Sequence, residues 1–259
     1  MDSGLAAARR PGMTRESASM SQTSIAGLKA LFFDVFGTLV DWRGSIAREA
    51  KAMLEPLGHK ADWPAFADAW RGEYQPAMEE VRAGRIAFSK LDVLHRRNLE
   101  RILPRFGIAG LGEDVMAHLN RAWHRLDAWA DVAPGLHQLK RKFLLAPVSN
   151  GNISLMVDLA RRNGFPWDAI LGAEIAQAYK PSPEAYLRNA EALMLKPEQV
   201  CLVAAHNSDL AAARRCRLRT AFIPRPTEHG PDQITDLRPE EDWDASARNV
   251  EDFASLLGL

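Results

Sequence analysis

Cysteine is nearly absent: Cys201 and Cys216 are the only two among 259 residues. Two cysteines without patterned spacing cannot make a disulfide framework or a structural zinc site, and they fit a reducing, cytoplasmic setting. Also missing is any apolar run near the ~20 residues that a membrane-spanning helix needs, so no membrane partner is expected. Charge of either sign is not in excess, with 33 Lys plus Arg against 33 Asp plus Glu. No field of one sign exists to gather a polyanion, so no nucleic-acid partner is expected either. The densest basic run, Arg214-Arg215-Cys216-Arg217-Leu218-Arg219, reads as a solvated helix end. No glycine-rich dinucleotide fingerprint follows the first strand, and no G-x-S-x-G elbow occurs. Residues 1–27 hold Ser, Ala, Gly and scattered Arg. They lack the continuous apolar stretch of a secretion signal and read as a disordered leader outside the fold.

What remains is ordinary for a soluble globular chain, 47% hydrophobic and 25% charged. The length suits one large domain, or a core carrying a smaller one, and a core of this size needs no staples. The first strong strand signal is Leu28-Lys-Ala-Leu-Phe-Phe33, ending at Asp34 with Gly37 supplying a turn. From about 44 to 130 the period turns helical. One helix is expected over 45–57. A second opens at Asp62-Trp63-Pro64, an N-cap followed by an early proline, with a kink at Pro76. A third opens at Ser89, and a fourth carries Val115, Leu119, Trp123 and Leu126.

After Pro134-Gly135 strands and helices alternate. Strands are expected at 143–148, 169–171, 200–204 and 219–223, and helices at 135–142, 153–163, 183–194 and 209–217. That alternation indicates βαβ units and a parallel sheet. The fold class is therefore α/β: a doubly wound, Rossmann-like core over 28–43 and 131–259, with a four-helix cap inserted at 44–130. Pro147 is awkward inside a presumed central strand, because it removes a ladder donor.

Ligands of such sheets bind beyond the carboxyl ends of the strands, and the polar clusters lie there. Asp34 follows the first strand, Ser149-Asn150 the second, and His206-Asn207-Ser208-Asp209 a later one. A carboxylate at a strand end before a glycine turn suits covalent catalysis. On that segment alone, a plain strand-end turn is an equal reading.

The ordered set is more specific. Asp34-Val-Phe-Gly-Thr38-Leu-Val-Asp41, Ser149-Asn150, Lys180-Pro-Ser-Pro-Glu-Ala-Tyr186 and Val203-Ala-Ala-His-Asn-Ser-Asp209 resemble, in order, the four signatures of the haloacid dehalogenase superfamily. Its phosphatases carry a second aspartate two residues after the nucleophile, to protonate a leaving alkoxide; here that position is Phe36. They also hold Mg²⁺ with acidic residues where this chain has Ala204-Ala205, and Mg²⁺ needs hard oxygen ligands. A halide leaves without a proton. Both departures therefore resemble the L-2-haloacid dehalogenase branch, which uses no cofactor or metal.

That resemblance implies the roles. Asp34 would displace the halide from a short 2-haloalkanoic acid, and water near Asp209 would hydrolyse the resulting ester. Lys180 would pair with both carboxylates, while Thr38 and Ser149 orient the nucleophile. In the cap, Trp70-Arg71 matches the family's halide-receiving pair. Asn150 and Asn207 would donate to the substrate or halide, and Phe36 and Trp42 would form apolar walls. Tyr186 is a hydrogen bonder of the ester step or a packed aromatic. His206 stands where the family carries asparagine, and is a base, a halide donor or packing. Extra donors there raise the expectation that fluoroacetate is a substrate. The resemblance also implies a homodimer or a monomer. A phosphatase or phosphonatase on the same core is the alternative, and a catalytically silent small-ligand binder a more distant one.

Overall fold

The computed structural model describes residues 27–259; the expected leader lies outside the described residues except for Gly27. The strands are β1 (Ala30–Phe33), β2 (Val40–Asp41), β3 (Asp127–Ala128), β4 (Leu144–Ser149), β5 (Leu171–Gly172), β6 (Val200–Ala204), β7 (Arg219–Phe222) and β8 (Ala245–Ser246). The helices are α1 (Trp42–Leu54), α2 (Trp63–Gly72), α3 (Tyr74–Arg82), α4 (Leu91–Ile102), α5 (Glu113–Asn120), α6 (Val132–Leu139), α7 (Ile153–Asn163), α8 (Ala173–Ala176), α9 (Glu184–Ala192), α10 (Asn207–Arg215) and α11 (Val250–Leu256).

Six strands form one sheet in the order β5-β4-β1-β6-β7-β8, every pair parallel. This is the α/β core expected from the alternation. Its central strand shows why a continuous apolar run is required: Leu31 and Phe33 join one buried cluster, Ala30 and Phe32 the other. Side chains of a strand alternate between faces, and helices cover both faces of this sheet. Pro147 lies opposite Phe33 within β4. It is accommodated because β5 reaches only Val148 and Ser149, which leaves one side of Pro147 free of a ladder.

Helices α1 to α5 leave the core after β2 and return at β3. These two short strands pair antiparallel, Val40 with Ala128 and Asp41 with Asp127, so the entry and exit of the helical block are tied together. Two-residue strands are too short for a pattern reading to find. The helix expected from 62 onward is interrupted, but not at Pro76: α2 ends at Gly72, and Glu73 separates it from the start of α3. Pro76 then falls in the first turn of α3, where an amide has no helical acceptor to lose. The block packs around aromatics, with Trp70 Nε1 donating to His95 O at 2.9 Å and His95 stacked on Trp123 at 4.3 Å.

One long-range tie fixes the turn that follows β1. Arg225 donates in a fork to both oxygens of Asp131 (2.7 and 2.9 Å), and its Nε donates to Thr38 O at 2.8 Å. Asp131 also accepts from the amide of Val250, at the start of α11. Removing one partner of such a buried pair leaves the other uncompensated. We expect Arg225→Ala to lower the unfolding free energy by about 3 kcal/mol, read in urea titrations as an earlier midpoint with an unchanged slope. A midpoint equal to the parent's would show that the tie contributes nothing.

Candidate active site

Asp34 sits one residue beyond β1, its amide donating to Val203 O on β6. The next turn is tight: Gly37 has φ +83° and the amides of Leu39 and Val40 both return to Val35 O. This geometry swings Thr38 back, so that its hydroxyl donates to Asp34 Oδ2 at 2.7 Å and accepts from Ala205 N at 2.9 Å. Thr38 thus links the ends of β1 and β6.

Lys180 arrives from the loop before α9, its own amide held by Asn150 Oδ1 at 2.8 Å. Its ammonium donates to Asp34 Oδ1 at 2.8 Å and to Asp209 Oδ2 at 2.5 Å. Tyr186, one turn into α9, donates its hydroxyl to Asp209 Oδ1 at 2.5 Å. Burial favours the neutral form of the Asp34 carboxyl, but the Lys180 ammonium and then His206 outweigh it and hold Asp34 well below the carboxylate range. Burial likewise opposes charge on Lys180, and Asp209 with Asp34 reverses the effect and raises it. These cations therefore favour the ionised form of Asp34.

His206, just before α10, faces Asp34 Oδ2 through Nδ1 at 3.1 Å and Glu228 Oε2 through Nε2 at 2.9 Å. Glu228 is fully enclosed, and its other oxygen accepts from Trp42 Nε1 at 2.9 Å. Nothing in the sequence pointed to Glu228, which lies in an irregular stretch between β7 and β8.

On the opposite wall Arg71 lies over the Tyr74 ring at 3.9 Å, with Trp42 at 5.5 Å and Phe36 at 5.8 Å. Its Nη1 is buried without a hydrogen-bond partner. Tyr74 was also missed, since a lone tyrosine on a helix carries no signal. A cleft of about 860 Å³ brings together Asp34, Phe36, Arg71, Asn150, Lys180 and His206.

Asp209 lines it as well, and the other expected residues do not. Thr38 and Tyr186 act on the carboxylates, and Trp42 backs Arg71 and Glu228. Two expectations are corrected. Asn207 turns away from the cleft: its amide group donates to Asp236 and Arg238 O and accepts from Glu240 N and Trp243 Nε1. It ties down the 236–243 segment and has no donor left for a halide. Ser149 Oγ accepts from Gly151 N at 3.0 Å and makes no hydrogen bond to Asp34, so it shapes the turn after β4.

The donor set does not suit the Mg²⁺ that phosphatases of this fold hold. Ala204 and Ala205 offer no side-chain oxygen, and the Lys180 ammonium already lies between the two nearest carboxylates.

Comparisons with known proteins place the chain in a family. The family model for haloacid dehalogenase-like hydrolases matches residues 28–217. The chain belongs to that family. Among solved structures it is similar to the defluorinating L-2-haloacid dehalogenase Rha0230, with 44% identity, TM-score 0.90, and coverage of 94% of this chain and 100% of that one. The L-2-haloacid dehalogenase PA0810 is similar at 46% identity and TM-score 0.86, covering 90% and 99%. The (S)-2-haloacid dehalogenase 4A of Burkholderia cepacia is 26% identical over 242 residues, 87% of this chain and 98% of that protein.

Within this hydrolase the turn glycine has a specific task. A Cβ on Gly37 would lie 2.0 Å from Glu228 Oε1, and φ +83° is unfavourable for any other residue. Gly37→Ala is expected to lower stability by about 2 kcal/mol and to slow turnover as Glu228 is displaced, checked by urea titration beside steady-state kinetics. Parental values in both would show that Glu228 has room to move without consequence.

Proposed function

We propose that this protein is a metal-independent 2-haloacid dehalogenase, in which Asp34 displaces the halide and the aspartyl ester is then hydrolysed. The carrying observation is a carboxylate pinned by Lys180, Thr38 and His206 in a cleft that Arg71 also lines. The names of the similar solved structures point to the same chemistry.

In-line displacement sends the leaving group to the side of the carbon opposite the attacking oxygen. His206 contacts Asp34 itself, which places it with the nucleophile rather than with the departing halide. The halide end is better served by Arg71, whose cation sits on aromatic faces and keeps a free donor. Asn150 lines the same cleft, and Phe36 supplies apolar wall where a phosphatase would need an acid. The helical block carrying Arg71 then acts as a cap over the core. A halide needs no proton to leave, so no acid beside Asp34 is required. Fluoroacetate belongs among the substrates we propose. Fluoride formed at the carbon lacks the water that holds it tightly in solution, so its departure depends on nearby donors, and the Arg71 guanidinium lines the same cleft.

Two measurements test this reading. With excess chelator present, halide electrodes should record release from chloroacetate, 2-chloropropionate and fluoroacetate, and a generic phosphate monoester should stay intact. Chloride release that is lost in chelator and restored by Mg²⁺ would overturn metal independence; fluoroacetate left intact while chloroacetate turns over would remove defluorination alone. In a single turnover with enzyme in excess in ¹⁸O water, the label should enter Asp34 and not the hydroxy acid, and Asp34→Asn should abolish turnover. Label in the first-turnover product would exclude the covalent route.

A further inference from the structure

The displacement just described leaves one buried acid without a task. Glu228 is 1% exposed, and it faces His206 Nε2 at 2.9 Å while His206 Nδ1 faces Asp34 Oδ2 at 3.1 Å. A neutral imidazole has one N–H and one lone pair. Set between two carboxylates, it would aim that lone pair at an anion. Only the imidazolium donates to both. Other charged groups near this pair are Lys180 and Asp209, beyond Asp34, and His229, whose Nε2 is 3.6 Å from Glu228 Oε1. Arg71 and Arg215 face the same cleft. Burial disfavours charge on His206, but Glu228 and Asp34 outweigh burial and raise its pKa well above the ordinary histidine value.

The two oxygens of Asp34 are not equivalent. Oδ2 accepts from Thr38 and His206, which fills both of its in-plane lone pairs, whereas Oδ1 accepts from Lys180 alone. Oδ1 therefore keeps the lone pair available for attack. Once Oδ1 carries the substrate carbon, Oδ2 becomes the ester carbonyl oxygen, with two donors already aimed at it.

We propose that His206 and Thr38 form the oxyanion-stabilising pair for hydrolysis of the aspartyl ester, and that Glu228 is the positioning residue that keeps His206 an imidazolium. This rests on Asp34 being the nucleophile. In the step concerned, water oxygen bonds to Asp34 Cγ and the carbonyl electron pair moves onto Oδ2. The charge on Oδ2 is met by the hydroxyl of Thr38 and the Nδ1–H of His206. As the pair returns, the Cγ–Oδ1 bond breaks. One proton of the water passes to the leaving alkoxide and the other to solvent, so Asp34 is again a carboxylate and the hydroxy acid carries its former Oδ1.

Glu228 matters most in the intermediate. Esterification removes the charge of Asp34, so of the two anions that hold His206 protonated only Glu228 remains. Glu228→Gln preserves the shape and the acceptor for Trp42. Its amide can donate to Nε2, which fixes a neutral imidazole that still donates through Nδ1. A charged donor is replaced by a neutral one at the point where charge develops.

The test uses the full-length enzyme in single turnovers with chloroacetate, following chloride release and the intact mass of the protein. In Glu228→Gln, chloride should appear at a rate within a few-fold of the parent's, while the ester adduct accumulates and decays roughly tenfold to a hundredfold more slowly. The pH profile of decay carries the sign. An imidazolium donor gives a rate that falls as pH rises through the His206 pKa, and the substitution moves that fall to lower pH. A general-base His206 would give a rate that rises with pH, with the rise moved to lower pH. His206→Asn, which does not depend on Glu228 folding correctly, should also accumulate ester but show no such limb.

Ester decay at the parental rate in Glu228→Gln, or a rising limb, overturns the proposal while leaving the Asp34 reading intact. If neither parent nor variants ever form an adduct while chloride is released, the Asp34 reading fails and this proposal falls with it.

Discussion

The Lys180 ammonium is the contact on which the site depends. Two carboxylates brought within reach of one another under a protein surface repel, and each loses hydration. A single cation donating to both removes the repulsion and supplies the lost hydrogen bonds. The cation is equally dependent on them, because a buried lysine without anions would shed its proton. Neither side is stable alone, and each is delivered by a different part of the chain: Asp34 after β1, Asp209 in the first turn of α10, and Lys180 from a loop fixed by Asn150 at the end of β4. The order of strands in the sheet makes this possible, since β4 and β6 flank β1.

His206 extends the same logic outward. Asp34, Asp209 and Glu228 alternate in space with Lys180 and His206, each cation bridging two anions. Three carboxylates are thus bridged by two cations, and Arg71 adds a further positive charge to the cleft. A mono-anionic substrate then adds one negative charge, which departs with the halide. In the proposed mechanism, the ester intermediate carries one negative charge fewer than the complex with the haloacid. A phosphate monoester would add up to two negative charges and no halide would leave. This is the electrostatic counterpart of Phe36, Ala204 and Ala205 standing where a phosphatase needs an acid and metal ligands.

Much of this was legible in the chain, because parallel strands buried on both faces leave continuous apolar runs and the catalytic side chains follow them directly. Asp34 is found that way, directly after β1, whereas Lys180 and Asp209 come from the ordered motifs, Lys180 lying eight residues past β5 and Asp209 five past β6. Residues chosen only for lying next to such a motif fared less well. Asn207 adjoins His206 in sequence, but the start of a helix turns successive side chains about 100° apart, and this one points into the 236–243 segment. Ser149 is consumed by its own turn. Glu228 was hidden for the opposite reason: it occupies a stretch with no periodicity, and only the folded loop brings it 22 residues back to His206. Glycine at 37 gives it room, a function that the turn reading of Gly37 did not suggest.

The arrangement also separates two tasks that a sequence comparison runs together. Lys180, Thr38 and His206 all hydrogen-bond the Asp34 carboxylate. Arg71 acts from the other side, on rings rather than on acids, and has a buried N–H with nothing to receive it. Because the donors on Asp34 are already committed, they cannot follow the leaving group without releasing the carboxylate. In the proposed mechanism, how strongly a small, hard halide is drawn off depends on the cap wall around Arg71, while the fate of the ester depends on the core wall around His206. Changes in one wall should alter halogen preference and changes in the other the rate of ester hydrolysis, although both walls border a single cleft.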